Sequence, residues 1–235
     1  MKNSTSQRLA VIGLGRFGMS LARQLAAHGA EVIAIDSNHR LVNEISDDVS
    51  LAVRLDSTDE AALRSQEVDR VDCVVVSIGE NFEAALLTTV LCKRNLKVGS
   101  VICRAQTPLH AEIFRQIGAD EVIQPEQHAG EALGRRLAHP RIHDYITLGE
   151  GFTIVELQAP PQFTGRTVKE LDLRNSFEVN LIAIRRKVAS PGDSETTRSR
   201  LISVPGPKDV IEEHDILLVA GSEASLANVA NAAKS

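Results

Sequence analysis

The chain of 235 residues is poor in aromatic side chains, with no Trp, one Tyr and six Phe. This scarcity argues against a platform on which nucleic-acid bases stack and against a carbohydrate-binding groove. The net charge is −5, and the sequence contains no run of basic residues. It therefore offers no positively charged segment of the kind that binds double-stranded nucleic acid. We therefore expect no nucleic acid among the partners of this protein.

Cysteines and long apolar runs are also scarce. The three cysteines, Cys73, Cys92 and Cys103, lie in apolar segments and share no metal-ligand spacing, so we expect buried thiols in a reducing compartment. No apolar run approaches the length of a membrane span. The polar segment 1–7 lacks the apolar core of a signal peptide. These absences predict a soluble, cytoplasmic protein.

The most informative segment that is present runs from Arg8 to Asp36. An apolar strand, predicted over Leu9–Ile12, leads into a GxGxxG turn and a predicted helix over Arg16–His28. A second predicted strand, Val32–Ile35, ends on the acid. This order of strand, glycine turn, helix, strand and acid is the dinucleotide-binding fingerprint in its structural context.

Each part of this fingerprint has a physical role. Gly13 permits the tight turn, Gly15 lets the backbone approach a phosphate, and Gly18 lets the helix pack closely on the strand. The N–H groups and the positive end of the helix attract phosphates, and Asp36 is placed to accept hydrogen bonds from ribose hydroxyls. The segment predicts a bound nucleotide; the alternative is a purely structural glycine turn.

Up to about Gln124, short apolar runs alternate with amphipathic stretches. Such runs are typical of parallel strands buried on both faces, and six strand–helix units predict a doubly wound α/β sheet, the Rossmann fold. The remaining strands are predicted over Leu51–Arg54, Cys73–Val76, Val98–Cys103 and Glu121–Ile123, and the remaining helices over Asn38–Ser46, Asp59–Arg64, Phe82–Arg94 and Pro108–Ile117.

Small or polar residues follow five successive strands of this sheet. Ligands of open α/β sheets bind outside the carboxyl ends of the strands, so these residues are candidates for the site. Two local alternatives stay open: Asp36 and Asp56 could cap helices, and Arg16 and Arg104 could be solvated. The strand-end segments are Arg16, Asp36–Asn38, Asp56–Ser57, Ser77–Asn81 and Arg104–Gln106.

The pattern changes after Gln124. One more helix is predicted over Pro125–Pro140, and a small α+β unit follows that is too short for a second nucleotide-binding sheet. The segment Ala189–Arg200, rich in Ser, Thr, Pro and Gly, predicts a long mobile hairpin loop. The other predicted elements of this unit are strands over Asp144–Leu148, Phe152–Leu157, Val179–Lys187 and Ile216–Ala220 and helices over Thr167–Leu173 and Ser222–Ala233.

Catalytic groups are not evident in this second unit. A hydride-transfer enzyme needs a substrate pocket and a group that handles a proton, but the unit offers His214, on an acidic turn, and a few surface Lys and Arg. No Tyr-x-x-x-Lys motif, nucleophile elbow or metal-ligating histidine set is visible. We therefore predict that the protein is not an enzyme, with an NAD-dependent oxidoreductase as the alternative.

Four separated motifs resemble the RCK proteins, which are cytosolic regulatory subunits of bacterial potassium transporters of the Ktr and Trk type. The motifs are VIGLGRFG, the acid that ends the second strand, VVSIGEN after the fourth strand and IGADEVIQPE before the last helix, and the resemblance covers Arg8 to about Gly221. It implies an RCK N-terminal nucleotide-binding domain over 8–125, a linking and dimerisation helix over 126–141 and a regulatory C-terminal RCK domain over 142–226.

The resemblance also implies an assembly and a location. Such subunits form homodimers that assemble into an octameric ring beneath a membrane-embedded transporter, at the inner face of the cell membrane. Exchange of the bound nucleotide changes the shape of the ring and so the ion flux. The resemblance does not decide whether the membrane partner is a Ktr or Trk potassium transporter or a different cation transporter or antiporter.

The implied ligand is ATP or ADP, and in some members NAD(H). Arg16 would reach a terminal phosphate, and Arg104 stands where Lys is frequent, which leaves the choice between ATP and ADP open. The site residues that the resemblance implies are Gly13, Gly15, Arg16, Phe17, Gly18, Asp36, Ser37, Asn38, Asp56, Ser57, Ile78, Gly79, Asn81, Arg104, Gln106 and His110.

Two further sites are implied by the resemblance alone. Glu126 resembles the acid that binds a divalent cation, Mg²⁺ or Ca²⁺, between paired nucleotides in some members; a helix-dipole role is the alternative. Leu173, Arg174 and Asn180 match the spacing of a cyclic di-AMP site at the C-domain dimer interface of some relatives. Leu181 replaces the His often found there, and surface charge with strand packing is the alternative.

Overall fold

The computed structural model describes residues 6–138, 142–149, 151–188 and 198–231. The chain divides into two compact units, the first ending at His128 and the second beginning at Ala129. The first unit is built on a parallel sheet and the second on a smaller antiparallel sheet. This architecture confirms the predicted fold class.

In the described part of the first unit, six parallel strands form one sheet. They are β1 (Arg8–Ile12), β2 (Glu31–Asp36), β3 (Leu51–Arg54), β4 (Cys73–Val76), β5 (Ser100–Arg104) and β6 (Glu121–Ile123). They pair in the order β3-β2-β1-β4-β5-β6. The strand order therefore reverses between β1 and β4, and this switch point is where doubly wound sheets bind ligands.

The helices of this unit start in two different ways. They are α1 (Arg16–Ala27), α2 (His39–Ile45), α3 (Glu60–Ser65), α4 (Phe82–Val90) and α5 (Pro108–Ile117), with a π-helical turn over Leu91–Asn95. Helix α6 (Pro125–Ala138) begins in this unit and continues past its boundary at His128. The side chains of Asn38, Asp59, Asn81 and Thr107 cap α2 to α5 by accepting first-turn N–H groups. Helix α1 instead starts after Gly15, which has no side chain to act as a cap.

The core of the first unit lies on both faces of its sheet. In β1, Ala10 and Ile12 pack into one apolar cluster and Val11 into another, which explains the continuous apolar run of this strand. Cys92 and Cys103 are fully buried, and burial raises their pKa values to about 12 and about 11. Both thiols are therefore protonated core side chains, as predicted from their apolar surroundings.

The second unit packs helices against an antiparallel sheet. Its strands are β7 (Ile142–Gly149), β8 (Phe152–Gln158), β9 (Asn180–Val188), β10 (Arg198–Ile202) and β11 (Ile216–Ser222), in the order β10-β9-β11-β8-β7. Its helices are α7 (Val168–Leu171), α8 (Leu173–Phe177) and α9 (Glu223–Asn231). Leu157, Ile184 and Leu217 are fully buried in its core.

Two predictions for the second unit differ from the structure. Within the segment Ala189–Arg200, predicted to be a loop, residues from Arg198 onward belong to β10, while residues 189–197 lie outside the described ranges. This strand pairs with β9, and such pairing is not visible in a polar stretch. The single helix predicted over Thr167–Leu173 is broken at Asp172, which adopts a left-handed φ of 42°.

Gly18→Ala is expected to destabilise the first unit. A Cβ at this position would collide with the carbonyl oxygen of Gly13 and the hydroxyl of Ser77. Because backbone cannot yield as a flexible side chain does, we expect the free energy of unfolding to fall by about 1–3 kcal/mol, the usual cost of overpacking. Urea denaturation measures this change.

The matched control is Gly134→Ala in α6, where a Cβ would meet no atom within 4 Å. This change should leave the free energy of unfolding the same or raise it by up to about 1 kcal/mol, because Ala favours a helix over Gly. An equal loss in both variants would contradict the packing role of Gly18.

Candidate functional site

The glycine turn after β1 is held from both neighbouring strands. Gly13 adopts a φ of 96°, and its N–H donates to the carbonyl of Ile35 over 2.8 Å. On the other side, the buried hydroxyl of Ser77 donates to the carbonyl of Gly13. Ser77 belongs to the strand-end segment predicted after β4, but it is absent from the site residues that the family resemblance implies. The turn is therefore fixed by its own protein contacts.

The start of α1 is open above this turn. Gly15 has an ordinary φ of −63°, and a Cβ there would meet no atom within 4 Å. The first N–H groups of a helix have no partners within the helix, and Gly15 supplies no capping side chain. Free N–H groups and the positive end of the helix dipole attract an anion. A phosphate group fits this place.

Asp36 ties the glycine turn to the start of α2. Its Oδ2 accepts the N–H of Leu14 at 2.6 Å, and its Oδ1 accepts the N–H of Asn38 at 2.7 Å. Asn38, rather than Asp36, is the N-cap of α2, since its side chain accepts the N–H of Arg40. A carboxylate has about four acceptor sites. The two bonds of Asp36 therefore leave capacity for ribose hydroxyls.

The far side of the switch point is basic. Arg104, at the end of β5, lies over Gly79, because a Cβ on that glycine would sit 2.5 Å from Nη1 of the arginine. The same Cβ would lie 3.3 Å from Nε2 of Gln106. Ile78 contacts the glycine turn, since a Cβ on Gly13 would lie 2.8 Å from its backbone nitrogen. These contacts bring Ile78, Gly79, Arg104 and Gln106 together beside the turn.

Arg104 also forms an ion pair with Glu126 in the first turn of α6. Nη2 lies 2.5 Å from Oε1, and the arginine side chain is 15% exposed while that of the glutamate is 64% exposed. Nε of Arg104 is buried and has no hydrogen-bond partner among the described residues. An orphaned guanidinium donor beside an open helix N-terminus is the environment that an anionic ligand requires.

The charge of Glu126 is stabilised by two arginines. The hydrogen bond from Arg104 lowers the pKa of Glu126, with smaller contributions from its own backbone N–H and from the charge of Arg16. Within the described residues, no group of three or more His, Cys, Asp or Glu side chains is placed to hold a metal ion. The residues around Glu126 therefore do not by themselves fit a divalent cation.

Three predicted site residues hold local structure instead. The hydroxyl of Ser57 is buried and lies 2.8 Å from that of Thr88 on α4. Hydrogen bonds from the backbone N–H and the hydroxyl of Thr58 lower the pKa of Asp56. Asn81 caps α4 by accepting the N–H of Ala84. Of these three, Asp56 presents an exposed carboxylate near the end of β3.

The remaining predicted residues of the first unit lie around this edge in varied settings. His110 stacks on Phe82, with ring centroids 3.9 Å apart and an interplanar angle of 17°. Phe17 is half-buried in the first turn of α1. Ser37 is exposed, and its carbonyl accepts Nε of Arg54 at 3.1 Å. Phe82 and Arg54 are contacts that the sequence motif alone does not reveal.

The candidate residues of the second unit differ in burial. Leu173 is 5% exposed and packs in the core. Arg174 on α8 and Asn180 at the start of β9 are exposed. His214 is exposed on a turn with a left-handed φ of 72°. Across the described ranges, no helix combines the length and apolar character needed to cross a membrane.

An open parallel sheet with a glycine turn at its switch point and an acid at the end of the next strand defines a Rossmann-type domain. The family model of the TrkA-N domain matches residues 9–125, and that of the TrkA-C domain matches residues 152–234. The chain belongs to the RCK family of Ktr and Trk potassium uptake proteins, as the sequence motifs indicate.

Relatives support this assignment along most of the chain. Ktr system potassium uptake protein C of Bacillus subtilis is 36% identical over 216 residues, which are 92% of each chain. Ktr system potassium uptake protein A of Vibrio alginolyticus is 30% identical over 228 residues, covering 97% of this chain and 98% of the relative. Both relatives are potassium uptake proteins by name, and both align with nearly the whole of this chain.

A solved structure with the same fold is the GsuK channel. It matches with a TM-score of 0.63 at 19% identity and covers 97% of this chain. The match covers 39% of the channel chain, so this chain spans about two fifths of that protein. This likeness supports the fold of the two units.

Arg104→Met is expected to raise the pKa of Glu126 toward the ordinary value of about 4.3. The arginine hydrogen bond is the main cause of the lowered pKa. Since the folded-state pKa lies below the unfolded one, the pair stabilises the fold at neutral pH, and this contribution is lost as the pH falls through the folded pKa. Carboxyl NMR titration of wild type and variant measures the change.

Glu170 serves as the internal control for this titration. Its pKa is lowered by the backbone N–H and hydroxyl of Thr167 in the capping box of α7. That pKa should be equal in both proteins. An unchanged pKa of Glu126 in the variant would contradict the assignment of the ion pair.

Proposed function

We propose that the protein is a non-enzymatic, nucleotide-sensing regulatory subunit of a potassium transport system. It binds ATP or ADP, with NAD(H) as the alternative ligand, at the carboxyl edge of the first sheet. The observation that carries this proposal is the open N-terminus of α1, set above a glycine turn that Ser77 and Asp36 lock in place. The turn is thus preorganised for a phosphate, so little conformational entropy of the protein is lost when the ligand binds.

Each part of the nucleotide has a candidate contact. The phosphates lie against the first turn of α1, where Gly15 leaves room, and Asp36 accepts ribose hydroxyls with its remaining lone pairs. Arg16 and Arg104 supply positive charge for the terminal phosphate. Asp56 follows β3, the strand that pairs with β2, and would lie near the base. Ser57 contributes less than the sequence suggests, because its hydroxyl is engaged by Thr88.

The names of the relatives support the proposed role in potassium transport. They are named as Ktr system potassium uptake proteins, and GsuK, a channel with this fold, has a structure with NAD bound, matching at a TM-score of 0.61. We infer a membrane-embedded Ktr or Trk potassium transporter as the partner, with the protein at the cytoplasmic face of the membrane. If the assembly has two shapes and each nucleotide binds one shape more tightly than the other, exchange of the nucleotide would shift the equilibrium between the shapes.

Helix α6 is the proposed dimerisation element. It has no buried residue among those described, and Leu133 and Leu137 are 46% and 69% exposed. Residues four apart lie on one face of a helix, so these leucines form an apolar stripe that a second copy would cover. Dimers built in this way would assemble further into the octameric ring that the family resemblance implies.

Two additional effectors belong to the proposal. A divalent cation, Mg²⁺ or Ca²⁺, would bind near Glu126 only if nucleotide phosphates supply further oxygens, because the acid is surrounded by Arg104 and Arg16. Cyclic di-AMP would bind the second unit through Arg174 and Asn180. Leu173 would support that site from the core rather than contact the ligand.

Gly15→Ala is expected to weaken ATP and ADP binding about tenfold or more without unfolding the protein. The added methyl meets no protein atom but fills the space proposed for a phosphate, so it removes contacts with the helix N-terminus. Isothermal titration calorimetry with ATP, ADP, NADH and cyclic di-AMP measures binding, and circular dichroism checks the fold.

Asp36→Ala is the companion variant and should also lose nucleotide binding. It removes an acceptor for the N–H groups of Leu14 and Asn38, so its stability must be measured alongside. Gly134→Ala, in open space on α6, should bind as wild type does. Wild type that binds no adenine nucleotide, or a Gly15→Ala protein with unchanged affinity, would refute the crevice assignment.

Leu133→Glu combined with Leu137→Glu is expected to convert the dimer to a monomer at micromolar concentration. Two charges in an apolar interface must be desolvated without partners. Size-exclusion chromatography with light scattering measures the mass. Val204→Glu, at an 84% exposed position, should leave the oligomeric state unchanged. A persistent dimer in the double variant would show that another surface joins the subunits.

The rival functions are separable by simple observations. An NAD-dependent oxidoreductase would turn over a substrate and use a catalytic group in the second unit, where His214 is exposed on a turn. A regulator of a different cation transporter or antiporter would co-purify with that membrane protein in place of a potassium transporter. The proposed function predicts nucleotide binding without turnover.

A further inference from the structure

Glu126 occupies a position with the properties of an anion site. It is bound to Arg104 at 2.5 Å and lies within the electrostatic influence of Arg16. Arg104 ends β5, Arg16 begins α1, and both elements meet at the carboxyl edge of the sheet. The carboxylate of this chain thus satisfies positive groups that the proposed nucleotide would also need.

The arginine is the more buried partner of this pair and the glutamate is the more exposed one. Arg104 is 15% exposed and packs on Gly79, whereas Glu126 is 64% exposed on the first turn of a helix with no buried residue among those described. An ion pair with one partner largely in solvent contributes only modest net stability. Its rearrangement therefore costs little.

The guanidinium offers the two anions overlapping sets of donors. Nη1 lies against Gly79, Nε is buried, and Nη2 is the group that Glu126 holds. Carboxylate and phosphate bind the same planar donors of arginine. A phosphate that reaches Arg104 therefore competes with the carboxylate for the donors at Nη2.

We propose that Glu126 is an internal competitor for the ligand's phosphate, so that a nucleotide is bound tightly only when it places a phosphate on Arg104 and displaces Glu126. This inference rests on the proposed nucleotide site. A phosphate can bind Arg104 only in those molecules in which Glu126 does not hold it. The apparent affinity for the nucleotide is therefore reduced in proportion to the fraction of such molecules. Displacement also releases the first turn of α6, the helix that carries Leu133 and Leu137.

Glu126→Gln tests the competition in the full-length protein. Glutamine keeps the shape but removes the charge, so the variant should bind ATP and ADP about two- to fivefold more tightly, as expected for loss of a weak ion pair. Binding of adenosine, which has no phosphate, should not change. Titration calorimetry in EDTA buffer measures all three ligands without contribution from a metal ion.

Two controls separate competition from a change in net charge. Glu112→Gln removes the same charge from an exposed pair with Arg115 on α5 and should leave ATP affinity as in wild type. In the Arg104→Met background, which itself should bind ATP more weakly, Glu126→Gln should no longer raise ATP affinity. This double-mutant cycle isolates the coupling of the two residues.

The outcomes distinguish this inference from the proposed function. A gain limited to phosphate-bearing ligands and dependent on Arg104 supports the competition. If wild type binds ATP but Glu126→Gln binds it equally or more weakly, Glu126 is not a competitor, and the nucleotide site still stands. If neither wild type nor Glu126→Gln binds any adenine ligand, the proposed function fails and the inference fails with it.

Discussion

The close packing of α1 on the β1–β4 edge is the constraint on which the rest of the first unit depends. Gly18 has no room for a Cβ because the carbonyl of Gly13 and the hydroxyl of Ser77 lie against it. This contact fixes where α1 begins and aims its free N–H groups at the crevice. Asp36 closes the arrangement from β2 by holding the N–H of Leu14. Fold and site are therefore specified by the same few atoms.

Much of this arrangement could be predicted from the sequence because it is local. The glycine turn, the acid at the end of β2 and the buried parallel strands follow from the spacing of neighbouring residues. Contacts between distant segments could not be predicted. Ser57 turns inward to Thr88, 31 residues away, and β10 is a strand because it pairs with β9. The strand or helix propensity of a residue does not show which distant residue it will contact.

The balance of charge at the crevice is compatible with the sensing role proposed above. Arg104 and Arg16 supply positive charge that can stabilise a phosphate. Glu126 is held ionised by Arg104 and so is a poor general acid. A site built from fixed charges responds to a ligand by exchanging ion pairs. Such an exchange can bias an assembly toward one shape.

Gly79 has a consequence for how nucleotide preference can be adjusted. A methyl group at this position would meet Nη1 of Arg104 at 2.5 Å, and this atom is the end of a flexible side chain rather than backbone. The larger residue would therefore shift the guanidinium and spare the fold. The residue at position 79 thus limits where the guanidinium can lie, and under the proposed function a neutral substitution there would change the contact with a phosphate while every charged residue of the crevice is kept.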